Sequence, residues 1–271
     1  LVLDIEGTQL RVQRQQLALP MAGELVDSHC HTHLAYCNEN MEIGRSQCLA
    51  DAFGLKGICI TEHSGHLYFP QDTYGPICCA AGISSAQPQH ERLGSYREAL
   101  EQGKVPPAYR GIEIDCDFQG NALARMDDLK DLPFRLGAMH YLPGVHDPNC
   151  TDTQAGAIFL GLLTRFLTRH DFHSLAHPFR VFRRCQRPIP HGLFEPVVAI
   201  LQRTHTAAEI NFHTNEPPQA FLRLCLDAGV RFSLGSDAHN LYEVGEFFPH
   251  MEALWHLGVT ESNLTDVLLP L

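Results

Sequence analysis

Positive charge and long apolar runs are both scarce in this 271-residue sequence. The formal net charge is −11, so a broad surface that binds nucleic-acid phosphates is not expected, whereas a small anionic substrate in a locally basic pocket is compatible with it. The longest apolar stretch, residues 157–163, ends at Thr164 and is too short to cross a bilayer. We therefore expect neither a membrane partner nor an extended nucleic-acid partner.

Paired cysteine motifs are missing as well. The sequence holds ten cysteines, but Cys78-Cys79 and Cys30 do not form a CxxC pair, which argues against a zinc–thiolate finger. Several others lie inside apolar runs, as reduced cysteines do in cytosolic proteins: Cys59, Cys116 and Cys225. The first residues show no charged-then-apolar signal layout. We expect a cytoplasmic protein.

Apolar runs and amphipathic patterns alternate along the chain. Hydrophobic residues make up 44% of it and charged residues 19%, which is typical of a globular domain. Strand-like runs near 172–176, 207–211 and 231–236 alternate with helical patterns at 154–169 and 219–228. This alternation predicts about seven strand–helix units.

The whole chain, residues 1–271, is expected to form a single barrel domain, because α/β barrels often use this length. The alternation in residues 1–22 predicts an N-terminal hairpin extension that covers the barrel bottom. Residues 64–86 have no clear period and are rich in Gly, Pro, Tyr and Cys. A loop of this length is usually functional, so we expect it to lie over the active site.

Two histidines follow the first apolar run. Leu25-Val26 leads into Asp27-Ser28-His29-Cys30-His31, and side chains at i and i+2 of an extended chain point to the same face. Converging imidazoles are typical metal ligands. Later apolar runs also end in His, Glu or Asp: His63, Glu113, His140, His177, Asp237 and His239. Because parallel strands end at one mouth of a barrel, these residues predict a metal site there.

In this order the motifs resemble the PHP superfamily, named for polymerase and histidinol phosphatase, over about residues 24–245. The matching segments are Asp27-x-His29-x-His31, Thr61-Glu62-His63, Glu113, His140, Ala176-His177-Pro178 and Ser236-Asp237-Ala238-His239. The resemblance implies an α/β fold, a distorted (β/α)7 TIM-like barrel, with three divalent metal ions at the C-terminal ends of the strands. It also implies a histidinol-phosphatase-like, metal-dependent phosphoesterase.

The resemblance also implies how the ligands are shared. A first ion is held by His29, His31, Glu113 and Asp237, a second by Glu113, His140 and His177, and a third by His63 and His239. A bridging carboxylate lets two cations acidify a shared water, so a metal-bridging hydroxide is the expected nucleophile, with Glu113 and Asp237 as catalytic residues. Zinc, manganese and iron all suit mixed imidazole and carboxylate ligands.

One segment departs from the family pattern. The family usually supplies another histidine to the third ion in a context like aromatic-Cys-x-His, where this chain has Tyr36-Cys37-Asn38-Glu39. We expect Glu39 to replace the histidine as a ligand. Asn38 or Asn40 could be the ligand instead of Glu39. A third alternative is that the third metal site is weak or empty.

Arginines are concentrated after His177, at positions 180, 183, 184 and 187. Guanidinium forks suit phosphate oxygens, so Arg180 and Arg183, nearest the histidine, are the expected substrate-binding residues. His33 or His213 is the expected acid for the leaving oxygen. The predicted reaction is hydrolysis of a small phosphomonoester.

Three other functions stay open. A nucleotide or short oligonucleotide phosphoesterase would use the same chemistry. Amidohydrolases, which break C–N bonds, also open with His-x-His, but many bridge their metals with a carbamylated lysine, and the lysines here, Lys56, Lys104 and Lys130, stand in helix or loop contexts. A non-enzymatic metal-binding module is the third, and the retained ligand motifs argue against it.

Overall fold

The computed structural model describes residues 2–5, 8–11 and 21–271. At the N-terminus β1 (Val2–Ile5) and β2 (Thr8–Arg11) pair in antiparallel orientation. The expectation that residues 1–22 cover the barrel bottom depends on residues 12–20, which lie outside the described residues.

The main sheet has seven parallel strands that lie side by side in chain order: β3 (Val26–Cys30), β4 (Gly57–His63), β5 (Arg110–Asp115), β6 (Phe134–Ala138), β7 (Ser174–Leu175), β8 (Ala207–Asn211) and β9 (Phe232–Gly235). The sheet curls until its first strand meets the chain after its last. The Asp237 N–H donates to the His29 carbonyl at 2.7 Å, and the His31 N–H donates to the Ala238 carbonyl at 3.2 Å. The fold is thus the expected distorted (β/α)7 TIM-like barrel.

The described residues form ten α-helices, of which the last two follow β9: α1 (Ile43–Ala52), α2 (Ser64–Tyr68), α3 (Pro76–Ala81), α4 (Leu93–Gln102), α5 (Asp152–Arg169), α6 (Arg180–Arg184), α7 (Phe194–Thr204), α8 (Gln219–Asp227), α9 (Phe248–His256) and α10 (Leu264–Val267). The longest, α5, begins with a capping box: the Gln154 N–H donates to Thr151 Oγ1 at 3.2 Å, and the Thr151 N–H donates to Gln154 Oε1 at 2.8 Å. Among the described residues, no helix combines the length and apolar character needed to cross a membrane.

The segment 64–86, expected to be a loop, contains α2 and α3. Its lack of periodicity has a physical reason: every residue of α2 is buried, so the helix has no polar face to alternate with an apolar one. Gly65 is required in α2, because a Cβ there would collide with the ring of Tyr74. Tyr74 and His66 from this segment line the cavity described below.

Candidate metal centre

Imidazoles from three strand ends and the loops after them converge on the buried carboxylate of Glu113 in β5. One oxygen, Oε1, lies 2.8 Å from His177 Nε2 and 3.4 Å from His140 Nε2. The other, Oε2, lies 3.6 Å from His29 Nε2 and 3.8 Å from His31 Nε2. Oε1 therefore faces His140 and His177, and Oε2 faces His29, His31 and His63. Two oxygens that face different sets of imidazoles are expected of a carboxylate that bridges two cations.

Several polar atoms inside this cluster are buried without a hydrogen-bond partner. They are His29 Nε2, His63 Nδ1 and Glu113 Oε2. His63 Nδ1 lies against Glu113 Oε2, but the contact lacks hydrogen-bond geometry. A buried polar atom without a partner costs about 1–3 kcal/mol, so three of them facing one another is unusual in a packed interior. A cation bound by His29 Nε2 and Glu113 Oε2 would satisfy both atoms, and the residues present fit the implied metal ions.

Asp237 brings a second carboxylate to the His29 and His31 side of Glu113. Its Oδ1 lies 3.0 Å from His31 Nε2 and 3.5 Å from His29 Nε2. Asp237 follows β9 and has a φ of 52°, and His177 likewise has a positive φ of 31°. Strained backbone of this kind concentrates at functional sites, where the surrounding structure holds it in place.

Carboxylates behind the centre orient its histidines. Three ring Nδ1 atoms each lie against a buried carboxylate oxygen: His29 against Glu209 at 2.8 Å, His31 against Glu62 at 3.3 Å and His140 against Asp115 at 2.5 Å. An Nδ1–H that donates to a carboxylate leaves the Nε2 lone pair for an ion. The sequence prediction did not include these three carboxylates. The available signal was an acidic residue inside an otherwise apolar strand, in β4, β5 and β8.

A third cluster contains His63 and His239, whose Nε2 atoms lie 3.4 Å apart. His239 Nδ1–H donates to the Asp237 carbonyl at 2.8 Å, so its Nε2 carries the lone pair. Cys37 Sγ lies 3.7 Å from His63 Nε2. His31, His63 and His239 offer nitrogen atoms within 4.8 Å of one another, and so do Cys37, His63 and His66 through sulfur and nitrogen.

Glu39, Asn38 and Asn40, the ligands considered for the third ion, are positioned by contacts with the backbone. Glu39 is exposed at the rim of the cavity, where its backbone N–H donates to the His239 carbonyl at 3.0 Å. The side-chain oxygen of Asn38 accepts the Met41 N–H at 2.6 Å, and that of Asn40 accepts the Leu241 N–H at 2.8 Å. Both asparagines thus use their oxygens to hold the backbone.

A cavity of about 600 Å³ lies over the centre and is lined by Tyr36, Cys37, Glu39, His63, His66, Gln71, Tyr74, His140, Arg180, Arg184, His213, Thr214 and His239. Arg180 is buried, donates to Asp237 and places Nη2 3.1 Å from His140 Nε2. Arg184 lines the wall, whereas Arg183 is exposed outside it. Arg184 stands four residues after Arg180 in α6, about one helical turn further along.

The two histidines expected as acids are separated by the fold. His213 lines the cavity, stacks on His239 with ring centroids 4.8 Å apart, and places Nδ1 2.9 Å from Glu243 Oε1. His33 is exposed and does not line the cavity. Of the two, only His213 is placed to approach a substrate there.

The two central carboxylates are held ionised by their surroundings. Burial by itself would raise the pKa of Glu113, but the surrounding imidazoles, with His63 the largest contributor, hold that pKa well below its ordinary value. Burial would likewise raise the pKa of Asp237, and the Arg180 guanidinium and His29 hold it well below its ordinary value. Both groups are anionic at neutral pH, as metal ligands must be.

The pKa values of the histidines at the centre shift in two directions. Burial lowers the pKa of His177 well below the usual range, so its ring is neutral. Burial acts in the same direction on His31, but Asp237 and Glu62 outweigh it and raise the pKa of His31 to about 9. Without an ion, a proton on His31 therefore offsets part of the negative charge, and metal binding has to displace it.

The chain is thus a seven-stranded α/β barrel that carries a buried cluster of histidines and carboxylates at its mouth. No family model matches the chain. It is 26% identical over 231 residues to a protein named a probable phosphatase from Caldicellulosiruptor bescii, covering 81% of this chain and 82% of that protein. Its fold is similar to the crystal structure of a Listeria monocytogenes protein assigned as a histidinol phosphatase, with a TM-score of 0.56 and 15% identity over 83% of this chain and 99% of that one. The relative named a phosphatase and the shared fold support the resemblance to the PHP superfamily.

Proposed function

We propose that the protein is a metal-dependent phosphoesterase that hydrolyses a small phosphomonoester. The observation that carries this proposal is the placement of Glu113, whose two oxygens face different sets of imidazoles, with buried atoms among them that have no hydrogen-bond partner. The relative named a probable phosphatase supports the reaction class. Arginines on the wall of the adjoining cavity support an anionic substrate.

The proposed ligands follow the expected sharing: His29, His31, Glu113 and Asp237 for a first ion, Glu113, His140 and His177 for a second, and His63 and His239 for a third. Zinc, manganese and iron suit these donors. Bound there, divalent ions would offset charge on the phosphate oxygens and lower the pKa of a coordinated water, which is the chemistry of phosphate ester hydrolysis.

Arg180 and Arg184 are the proposed phosphate-binding residues. Arg180 has a buried Nε without a partner, so its guanidinium has donor capacity left beyond Asp237. Arg184 lies over the ring of Tyr141, with its guanidinium carbon 5.1 Å from the ring centroid, and this contact holds the side chain on the cavity wall. Preorganised cationic donors of this kind stabilise the charge of a transferring phosphoryl group.

His213 is the proposed proton donor to the leaving oxygen. Glu243 Oε1 accepts from its Nδ1–H at 2.9 Å, and Glu243 Oε2 accepts the His239 N–H at 2.9 Å. Glu243 thus fixes the ring of His213 relative to the third cluster. A general acid needs this orientation in order to reach one substrate atom repeatedly.

The placement of the lysines favours phosphate ester over C–N hydrolysis. All three lysines lie in the described part of the chain. Lys56 Nζ donates to the Leu271 carbonyl at 2.7 Å, and Lys104 and Lys130 are exposed. None of them lines the cavity, and the central place that a carbamylated lysine would occupy is held by Glu113.

The test is to strip the protein with chelator, reload it with single metals, and assay phosphomonoesters, phosphodiesters and amides. We expect phosphomonoester hydrolysis that depends on added metal. Asp237→Asn and His29→Ala should abolish turnover while circular dichroism shows an unchanged fold, because both side chains face the centre and not the apolar core. Near-wild-type turnover in either variant after metal is restored would contradict the proposal.

A further inference from the structure

The third cluster has the spacing of a metal site that includes sulfur. Tetrahedral zinc with bonds of about 2.0–2.1 Å to nitrogen and 2.3 Å to sulfur places two nitrogen ligands roughly 3.4 Å apart and a nitrogen and a sulfur ligand roughly 3.6 Å apart. His63 Nε2 and His239 Nε2 are 3.4 Å apart, and Cys37 Sγ is 3.7 Å from His63 Nε2. These two separations match those between ligands of one ion, and Cys37 Sγ also lies within 4.8 Å of ligand nitrogens of both His63 and His66.

The lone pairs are available in the same place. His239 uses its Nδ1–H on the Asp237 carbonyl, which leaves Nε2 as an acceptor. His63 turns Nδ1 towards Glu113 and Nε2 towards Cys37 and His239. In the tautomer of His63 that carries its proton on Nδ1, both Nε2 atoms are acceptors, and a cation bound by both would satisfy them.

We propose that Cys37 supplies a thiolate ligand to the third metal ion, beside His63 and His239, in place of the histidine of the family pattern, for which Glu39 was the expected substitute. This inference rests on the proposed metal-dependent function. The thiol loses its proton to solvent as the ion binds. Thiolate is a soft ligand, so this site prefers zinc or cobalt, whereas a Glu39 carboxylate would favour manganese or iron.

Cobalt(II) separates the two ligands directly, since a cobalt–thiolate bond gives a strong near-ultraviolet charge-transfer band that carboxylate and imidazole do not give. The chelator-stripped protein is titrated with cobalt(II), and the band is followed together with the bound cobalt. We expect the band in the wild type, its loss in Cys37→Ser, and its retention in Glu39→Gln. Cys48→Ser is the matched control, because Cys48 is an exposed cysteine on α1, and it should keep the band.

A second measurement uses the unmodified protein and does not depend on any variant folding. Iodoacetamide labelling with peptide mass mapping is run with and without zinc. Bound zinc should protect Cys37 and leave Cys48 as reactive as before. Equal labelling of Cys37 in both conditions, or a full-strength cobalt band in Cys37→Ser, overturns the proposal.

The outcomes also separate this inference from the phosphoesterase function. Metal-dependent hydrolysis without a Cys37-dependent band means that the Cys37 proposal fails alone. A Cys37-dependent band in a protein that hydrolyses no phosphate ester means that the site exists and the proposed reaction is wrong. Loss of the third ion in Glu39→Gln, with no effect of Cys37→Ser, assigns the ligand to Glu39.

Discussion

Glu209 supports the proposed metal centre from behind, and its removal tests how that centre is held. Its Oε1 accepts from His29 Nδ1 at 2.8 Å, and its Oε2 accepts the His177 N–H at 2.6 Å. Asn211 Nδ2 donates to the same Oε2 at 3.0 Å. The buried carboxylate therefore fixes the tautomer of one proposed ligand and the strained backbone of another.

We predict that Glu209→Gln weakens metal binding at the Glu113 centre. Glutamine has one acceptor oxygen where two are needed. If its NH2 faces His29, the ring proton moves to Nε2 and the lone pair for the ion is lost; if it faces His177, two N–H groups oppose each other. The loss of a buried charge-assisted hydrogen bond costs about 1.5–3 kcal/mol. Metal affinity should therefore fall roughly 10- to 100-fold, the usual effect of removing such a partner.

The assay is competition for bound metal against a chromophoric chelator, with kcat/KM for p-nitrophenyl phosphate measured in parallel. Glu216→Gln is the matched control, because it makes the same change at an exposed glutamate, and it should leave both quantities unchanged. Melting in chelator separates any loss of folding from loss of metal. Wild-type metal affinity in a folded Glu209→Gln variant would refute the reasoning.

Three further predictions concern the same mouth of the barrel. Gly235→Ala should reduce both metal affinity and melting temperature, since a Cβ at Gly235 would occupy the space of the Glu209 carboxylate; unchanged values in a metal titration and a melt would contradict this. Arg184→Ala should lower kcat/KM, because the transition state loses about 2–3 kcal/mol of stabilisation. Arg183 lies outside the cavity, so Arg183→Ala should leave kcat/KM unchanged. Equal effects of the two substitutions in steady-state kinetics would reject the assignment. Metal affinity should fall as pH drops below about 9, because the raised pKa of His31 makes protons compete with the ion, and a pH-independent affinity would count against His31 as a ligand. In the metal-free protein, protonated His31 stabilises the folded state fully below pH 6.5, the ordinary pKa of histidine. This stabilisation is lost as the pH rises through about 9, the raised pKa of His31.

The barrel could be predicted from local patterns, because a buried parallel strand is a short apolar run and an outer helix has a 3.6-residue period. The patterns failed where a segment is buried on every side. In 64–86 the helix α2 has no exposed face, so its sequence carries no helical period and predicts a loop. The helical pattern predicts that α5 begins at 154, whereas the capping box at Thr151 begins the helix at Asp152.

The amino-acid sequence by itself determined which histidines and acids meet at the barrel mouth, because each ends an apolar strand and parallel strands in a barrel end together. That these residues bind metal stays a prediction. Only the tertiary structure decided which contacts they make. Glu209 reaches His29 across 180 positions of the chain, and Arg184 rather than Arg183 enters the cavity. Such contacts depend on the curvature of the barrel and the rotation of each helix, which no local pattern of residues encodes.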